Sequence, residues 1–432
     1  MKKILLEINM QKNKSLNLPS CQILSNLKII DFAEVFAGPF GISLMADLGA
    51  DVIKVESYPR RSLTRPIKVD ARVADGPGPA YEKTAPQTQG NRNKRFIALN
   101  LNASDGKKIF KELIEWADIL IDGYAAGVIE KLGFSWDEVH KINDKISMIS
   151  MPAWGVDGPY KGYTALGSQV EASSGHVLAR GNKNKSTEDI LGTIQTDASV
   201  PMEVIFATIS CMYRRKETQL GTFIDLSHLE AFSWYLPGML SDWQWNQRLT
   251  KQLGNENESF VPHGCFPTNR IDEWVVLAVE NDHQWHELCI LFEKKEYSKI
   301  GHEWATIQGR ISHREKINAW ITQETKTRNR DELISLFNNK NVIFAPVMDA
   351  PSLLTSEQLN YRNWWQSIDH KYLGNRLMSG FLWHISPDEQ QWDRPAGLLG
   401  EHNSEILDEL GYNDEDIQRL YSNNSIGNEF KE

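Results

Sequence analysis

The stretch LKIIDFAEVFAGPFGISLMADLGADVIKVE, residues 27–56, decides the fold. It opens with the apolar run LKIIDF, typical of a buried strand, and closes with a second such run, DVIKVE. Between them, apolar side chains recur at helical spacing, with Pro39 where a first helical turn tolerates proline and Gly49 at the helix end. Strand, helix and strand in this order predict a βαβ unit with parallel strands and a right-handed crossover.

The same alternation continues outward along the chain. RFIALNL at 95–101, DILI at 118–121 and ISMISM at 146–151 are predicted strands, and Ser104 is placed to cap a helix between the first two. We therefore expect an α/β fold whose large domain carries an open, mostly parallel, Rossmann-like sheet. After residue 200 longer apolar helices and a few short strands indicate a smaller α+β domain.

The hydrophobic pattern and the composition divide the chain into five predicted segments. They are a flexible N-terminal extension (1–21), the first part of the large domain (22–225), a linker helix (226–249), the small domain (250–330) and a return to the large domain (331–432). The opening run MKKILLEINM is not predicted to be a signal peptide, because Glu7 interrupts it and no small-residue cleavage site follows.

Composition excludes several classes of function. Of the 432 residues 41% are hydrophobic, and 47 Lys and Arg against 57 Asp and Glu give a net charge of −10. This balance argues against a nucleic acid or an anionic membrane as the main partner. No apolar run approaches the roughly 20 residues of a membrane span. The four cysteines lack CxxC spacing, which favours reduced thiols and a cytoplasmic location.

Three familiar kinds of site find little support. The first predicted turn holds only Gly38, followed by Pro39, whereas a dinucleotide site needs several glycines where the backbone meets the pyrophosphate. His283, His286 and Cys289 share helical spacing without a fourth ligand, so a solvated helix face is favoured and no metal is predicted. The chain also lacks the GxSxG of serine hydrolases.

Asp197 is the strongest candidate for chemistry. It lies in the small and polar segment GTIQTDASVPM, directly before a predicted apolar helix. Capping that helix is the ordinary role of an Asp in this place. A carboxylate at a helix N-terminus is also kept ionised by the helix dipole, and an ionised carboxylate can act as a nucleophile. The local sequence leaves both roles open and favours the cap.

Several segments together resemble the class III CoA-transferases, a family that includes formyl-CoA transferase and carnitine CoA-transferase and shares its fold with the 2-methylacyl-CoA racemases. The resemblance extends from about residue 22 to about residue 412. The matching segments are residues 27–56, NKRFIALNL (93–101), GVIEKLGFSWDEVHKIN (127–143), GPYKGYTALGSQVEASSG (158–175), GTFIDLSHLEA (221–231) and PAGLLGEHNSEIL (395–407).

The resemblance implies that Asp197 is the catalytic nucleophile. Its carboxylate would attack a donor acyl-CoA to form a mixed anhydride, and the released CoA would then return to give an aspartyl-CoA thioester. Coenzyme A is therefore expected as part of the substrate, with a carboxylic acid as the second substrate and no tightly bound cofactor. The family also implies an interlocked homodimer.

The family's CoA site can be carried over by position. The loop after the first predicted strand, called the first loop below, is expected to contact the thioester and the pantetheine. Basic side chains in NKR and IEKLG are expected to contact the phosphates, and one aromatic residue is expected to contact the adenine side. The residues concerned are Glu34, Val35, Phe36, Ala37, Lys94, Arg95, Lys131 and Tyr124.

Departures from the family pattern affect the expected substrate. Formyl-CoA transferase has a Gln where this chain has Phe36, a Glu where it has Gly167, and a tetraglycine flap where it has NENESFVPHG (255–264), which includes His263. Because Phe36 cannot donate a hydrogen bond, a bulkier and more apolar acid is expected rather than formate or oxalate. A racemase would need a His where this chain has Leu166 and Gly167. A CoA-binding protein without catalysis is the third reading, which the presence of Asp197 disfavours.

Overall fold

The computed structural model describes residues 23–66, 76–183, 194–386 and 394–430. The predicted extension at 1–21 lies outside the described residues. The chain divides into two compact units. The first draws on Met1–Ser174, Gly192–Gly238 and Tyr361–Glu432, and the second on Gly175–Leu191 and Met239–Asn360.

The described residues contain eleven strands. They are β1 (Lys28–Phe32), β2 (Asp51–Ser57), β3 (Arg95–Leu99), β4 (Ile119–Asp122), β5 (Ser147–Ser150), β6 (Phe223–Asp225), β7 (His263–Pro267), β8 (Trp274–Ala278), β9 (Ile343–Pro346), β10 (Trp365–His370) and β11 (Gly374–Ser379).

The helices of the described residues alternate with these strands in the first half of the chain and dominate its second half. The α-helices are α1 (Ala37–Asp47), α2 (Ala85–Gly90), α3 (Ser104–Trp116), α4 (Val128–Leu132), α5 (Trp136–Ile142), α6 (Gly167–Ser173), α7 (His176–Ala179), α8 (Thr196–Thr218), α9 (His228–Ser233), α10 (Pro237–Asn246), α11 (Asp282–Leu291), α12 (Ile307–Ser312), α13 (Arg314–Thr325), α14 (Arg330–Phe337), α15 (Ala350–Leu354), α16 (Glu357–Tyr361), α17 (Asn403–Glu409) and α18 (Asp414–Ser422), with 3₁₀ turns at Ala80–Glu82 and Lys295–Ser298.

The first unit is built on a six-stranded sheet in the order β3-β2-β1-β4-β5-β6. Every pair of neighbours in it is parallel, so the predicted α/β class with an open parallel sheet is confirmed. A two-stranded antiparallel sheet, β10-β11, belongs to the same unit. The second unit holds the antiparallel sheet β7-β8-β9.

Successive strand residues pack on opposite faces of the large sheet. On β1, Ile30 joins the apolar cluster that includes α3, whereas Ile29 joins the cluster that includes α1 and α8. This period of two is the geometry of an extended chain, and burial on both faces explains why the strand sequences are almost wholly apolar. Helices α1 and α8 approach closely, since a methyl group at Gly41 would stand 2.8 Å from the Pro201 carbonyl oxygen.

The second unit has its own apolar core, formed by β8, α11, α13 and α14 around Trp285 and Trp320. Their rings meet edge to face, with 5.7 Å between centroids. Among the helices of the described residues, none is long and apolar enough to cross a membrane.

The strand order reverses between β1 and β4, since β2 and β3 lie to one side of β1 and β4 to β6 to the other. In an open parallel sheet the chain leaves neighbouring strands in opposite directions at such a point, which opens a crevice at their carboxyl ends. The loops after β1 and β4 therefore lie where a site is expected.

Candidate active site

A cavity of about 320 Å³ opens at this carboxyl edge, entirely within the first unit. Its walls include the loops at 34–38, 123–126 and 151–154, which follow β1, β4 and β5. The volume lies at the lower end of the range of small-molecule sites. Six residues predicted to form the site line it together: Glu34, Val35, Phe36, Ala37, Tyr124 and Asp197.

Asp197 is the second residue of α8, and it does not cap that helix. The N-cap position belongs to Gln195, whose side chain makes no capping bond. Burial and the neighbouring charge of Glu171 raise the pKa of Asp197, and no hydrogen bond within the described part of the chain counteracts them. The helix dipole was expected to favour the ionised form, so burial and a second carboxylate outweigh it here. A less stabilised carboxylate is a stronger nucleophile once it is ionised.

Helix α6 packs directly against this carboxylate through a residue without a side chain. A methyl group at Gly167 would stand 2.8 Å from Oδ1 of Asp197 and 2.6 Å from Oγ1 of Thr196. Real Cβ atoms do not approach other heavy atoms so closely. Gly167 therefore makes room for the Asp197 carboxylate in its present position.

The first loop is held at both ends by a buried ionic cluster of Asp31, Lys54 and Lys94. Nζ of Lys54 donates to the carbonyl of Ala33, and Nζ of Lys94 donates to the carbonyl of Pro39 at 2.7 Å. Both amines also bind Asp31, at 3.1 and 2.7 Å. The cluster thus fixes where the loop starts and where α1 begins.

Within this loop the backbone is unusual. Val35 has φ of 68°, a left-handed conformation that β-branched residues rarely adopt. Such conformations persist where the surroundings impose them, often at functional sites. Gly123 lets the neighbouring loop approach, since a methyl group there would stand 2.6 Å from Cβ of Ala33.

Two basic residues predicted to contact phosphate are engaged inside the protein. Lys94 is fully buried, and its Nζ has Asp31, Asn91 and two backbone carbonyls as acceptors. Burial lowers the pKa of Lys94 to about 7. Arg95 is 6% exposed and binds Asp51 at 2.8 Å and Glu409 at 2.7 Å.

Lys131 and Tyr124 have different surroundings. Lys131 lies on α4 and is exposed to solvent. The Tyr124 hydroxyl donates to Glu34 at 2.8 Å, and burial together with Glu34 raises the pKa of Tyr124 well above its usual value. Arg60 forms an ion pair with Glu34 and lies over the Tyr124 ring, with Cζ 5.9 Å from its centroid. Arg60 was not predicted; nothing in its local sequence distinguishes it from a surface charge.

His228 is a cavity residue that the sequence analysis did not single out. It begins α9, and part of its ring lines the same cavity as Asp197. Its Nε2 atom has no exposed surface and no hydrogen-bond partner among the described residues. Burial lowers the pKa of His228 to about 4, although the Met151 carbonyl acts in the opposite direction. The ring is therefore neutral at ordinary pH.

His263 does not line this cavity. It lies in the second unit at the start of β7, where its Nδ1 is 2.7 Å from the Asn255 carbonyl oxygen. His283, His286 and Cys289 lie on α11 in that unit, and no group of three metal-ligating side chains occurs within residues 23–66, 76–183, 194–386 and 394–430.

Three curated proteins illustrate what the chain is similar to. A human succinyl-CoA:glutarate CoA-transferase is 27% identical over 92% of this chain and 89% of its own length. The beta subunit of succinyl-CoA–L-malate CoA-transferase from Chloroflexus aurantiacus is 26% identical over 93% and 98%. A formyl-CoA:oxalate CoA-transferase from Streptomyces coelicolor is 26% identical over 94% and 100%.

Solved structures share the fold. A CAIB/BAIF family protein from Brucella suis superposes with a TM-score of 0.79 at 24% identity, over 90% of this chain and 99% of its own. The Rv3272 protein of M. tuberculosis gives 0.75 at 17% identity, over 90% and 100%. The model of CoA-transferase family III matches residues 24–403, nearly the whole chain. The protein therefore belongs to CoA-transferase family III.

Proposed function

We propose that this protein transfers CoA from an acyl-CoA to a free carboxylic acid, with the Asp197 carboxylate as the covalent carrier. The observation that carries the proposal is the half-buried carboxylate of Asp197 in the cavity, without a hydrogen-bonded partner in the described part of the chain. Membership of CoA-transferase family III supports the reaction class.

The proposed reaction has two covalent stages. An Asp197 oxygen attacks the thioester carbon of the donor, the carbon–sulfur bond breaks, and CoA leaves as a thiolate. The product on the protein is a mixed anhydride of Asp197 and the donor acid. The thiolate then attacks the aspartyl carbon of the anhydride, giving an aspartyl-CoA thioester and releasing the donor acid as a carboxylate. The acceptor carboxylate repeats these steps in reverse, so no proton or electron is left unbalanced. Splitting one exchange into steps between activated acyl groups lowers each barrier.

Each stage passes through an oxyanion that needs hydrogen-bond donors. The first turn of α1 supplies candidates, because the N–H groups of a first helical turn have no acceptor within the helix. Ala37 and Gly38 belong to this turn, and both line the cavity. The ionic cluster of Asp31, Lys54 and Lys94 holds this turn in place, which would spare the reaction the cost of ordering it.

The first loop and Tyr124 are proposed to contact the thioester end of CoA. Lys131 is proposed to contact phosphate, because it is exposed. Lys94 and Arg95 are left out of this proposal, since Lys94 already binds Asp31 and Arg95 already binds Asp51 and Glu409. Arg60 enters it as an exposed cation paired with the cavity-lining Glu34, and its side chain is 56% accessible.

The acyl group is proposed to be more apolar than formate or oxalate. Phe36 lines the cavity and stacks on Phe40, with 5.3 Å between ring centroids and 13° between planes. Val170 and Ile194 add further apolar surface. Burying apolar surface contributes roughly 25 cal/mol per Å², so a longer chain gains affinity that formate cannot.

The test is capture of the covalent intermediates. The protein is incubated with succinyl-CoA, glutaryl-CoA or butyryl-CoA, quenched, and the peptide that contains Asp197 is weighed for bound CoA or for an acyl group that hydroxylamine removes. The adduct is expected in the wild type and in Asp157→Asn, a control at an exposed position, and not in Asp197→Asn. An adduct that survives in Asp197→Asn would exclude Asp197 as the carrier.

A second candidate function, exchange of the proton next to the thioester carbonyl, is favoured by His228 in the same cavity. Such exchange needs a base and an acid on opposite sides of the carbon. A ring whose pKa is about 4 is a weak base at neutral pH, and its Nε2 is covered. The transferase therefore remains the proposal, and uptake of deuterium from heavy water into the acyl-CoA distinguishes the second function.

A homodimer is also proposed, on the strength of exposed apolar side chains in the first unit. On α8, Phe206 and Tyr213 are 72% and 71% exposed, and Trp234 after α9 is 80% exposed. Apolar surface of this kind commonly marks an interface. Light scattering coupled to gel filtration should give twice the mass of the chain.

A further inference from the structure

Helix α8 begins with an unusual capping arrangement. The first N–H groups of a helix lack partners within it, and a Ser, Thr, Asp or Asn at the N-cap normally binds them. Here the N-cap is Gln195, which makes no side-chain bond to the helix, and Asp197 lies two residues further on. Another group must therefore bind the N–H groups at this end.

That group is Glu171 of α6. Its side chain is 1% exposed, and one oxygen, Oε1, accepts from the N–H of Gln195 and from the N–H of Thr196, the latter at 3.2 Å. Charge-assisted hydrogen bonds to a helix N-terminus offset part of the cost of burying a carboxylate. Glu171 thus caps α8 from a neighbouring helix, 24 residues earlier in the chain.

This arrangement has a consequence for Asp197. The N–H groups of Gln195 and Thr196, the two backbone donors directly before Asp197, are already held by Glu171. The Asp197 carboxylate lies in the cavity instead, while Glu171 itself is not among the cavity-lining residues. Glu171 therefore acts on the reaction only through Asp197.

We propose that Glu171 is the positioning residue of the site: it caps α8 in place of Asp197 and so leaves the Asp197 carboxylate free to attack. The nucleophilic attack in this proposal rests on the proposed function, whereas the cap and the position of the Asp197 carboxylate do not depend on it. The charge of Glu171 also raises the pKa of Asp197. The other titratable side chains that line the cavity, Glu34, Tyr124, Lys161, Tyr163 and His228, are not among the causes of that shift.

Two variants separate the cap from the charge. Glu171→Gln keeps an acceptor oxygen for both N–H groups and removes the charge, whereas Glu171→Ala removes both. Ser168→Ala, at an exposed position on the same helix, is the matched control. Circular dichroism and the midpoint of thermal unfolding establish that each variant is folded before it is compared.

The first measurement is amide hydrogen exchange in the peptide around residues 194–200. Glu171→Ala should exchange about tenfold faster there, as expected for the loss of a capping bond, and Glu171→Gln about as slowly as the wild type. Equal exchange in Glu171→Ala and wild type would overturn the cap.

The second measurement is the pH dependence with which a water-soluble carbodiimide labels Asp197, read by peptide mass. The reagent needs the protonated carboxyl group, so labelling falls off as the pH passes the pKa. In Glu171→Gln the fall should occur at lower pH, because the repulsive charge is gone. An unchanged pH profile would exclude Glu171 as the neighbour that acts on Asp197.

The third measurement is the rate of adduct formation on Asp197. In Glu171→Ala the rate of adduct formation should fall about tenfold to a hundredfold, since a small misplacement of a reacting group is costly. Glu171→Gln should keep most of the rate at pH values above the lowered pKa of Asp197. If the wild type forms no adduct while exchange and labelling behave as expected, the transferase function fails and the positioning role stands. If adducts form equally in all variants, the positioning role fails.

Discussion

Asp31 and Asp197 are two carboxylates in the first unit whose surroundings shift their pKa values in opposite directions. Asp31 is fully buried on β1 between Lys54 and Lys94, at 3.1 and 2.7 Å. Burial would raise its pKa, but the two lysines bring the pKa below its usual value. Asp197 is half-buried beside another carboxylate, and its pKa is raised.

The difference separates a structural carboxylate from a reactive one. Every interaction of Asp31 stabilises its anion, which makes it a poor nucleophile and a good anchor for the first loop. Asp197 is placed by the packing of its neighbours, and no hydrogen bond from the described residues reaches its carboxylate.

The largest effect is expected from Asp31→Asn. The substitution leaves two buried ammonium groups without their shared counter-charge, so the free energy of unfolding should fall by about 3–5 kcal/mol. Urea denaturation followed by tryptophan fluorescence measures it. Glu138→Gln, which removes an exposed ion pair with Lys141, is the control and should leave the free energy of unfolding nearly unchanged. Equal losses in both variants would contradict a structural role for Asp31.

Much of the large sheet could be predicted from the sequence. The predicted strands at 27–32 and 51–56 correspond to β1 and β2, and the helix between them to α1. Burial on both faces makes these strands almost continuously apolar, and glycine ends the helix, so the signals are local. In the matching segment at 221–231, β6 spans only Phe223–Asp225, because only these residues pair with β5.

The site was harder to predict from the sequence than the sheet, because its decisive contacts join residues that are distant in the chain. Capping propensity favoured Asp197 as the cap, and no local pattern reveals that Glu171 takes this role from another helix. Lys94 was predicted to contact phosphate by charge and position. Its counter-ion Asp31 is 63 residues away in sequence and adjacent in space. His228 begins an ordinary short helix, and only the fold shows that it lines the cavity.

The second prediction concerns the space that Asp197 occupies. In Gly167→Ala the new methyl group would stand 2.8 Å from Oδ1 of Asp197, so the carboxylate must move. The rate of adduct formation should fall about a hundredfold, as for a misplacement of about 1 Å. Gly162→Ala is the control, since nothing lies within 4 Å of the added atom. A full rate in Gly167→Ala would show that the carboxylate has more freedom than its packing indicates.

The third prediction uses His228, another cavity group without a hydrogen-bonded partner for Nε2 in the described part of the chain. Its pKa is about 4 in the folded protein and 6.5 in a model compound. Between these pH values His228 takes up a proton in the unfolded chain and not in the folded protein. Its contribution to the free energy of unfolding is therefore complete above pH 6.5 and is lost as the pH falls toward 4. For a partly exposed ring the loss should be about 1–2 kcal/mol. Unfolding measured at several pH values should show this loss in the wild type and not in His228→Phe; parallel curves would contradict it.

The smallest effect is expected from Lys131→Ala, which changes an exposed charge and no buried one. If Lys131 contacts a CoA phosphate, the variant should raise the KM for acyl-CoA by up to about fivefold, because an exposed charge contact contributes at most about 1 kcal/mol. Added salt should reduce the difference from the wild type, since it screens exposed charges. Lys108→Ala, at a lysine whose side chain is 65% exposed on α3, is the control. An unchanged KM at low salt would transfer the phosphate role to other cations such as Arg60, whereas a loss of stability would place Lys131 with Asp31 among the structural charges.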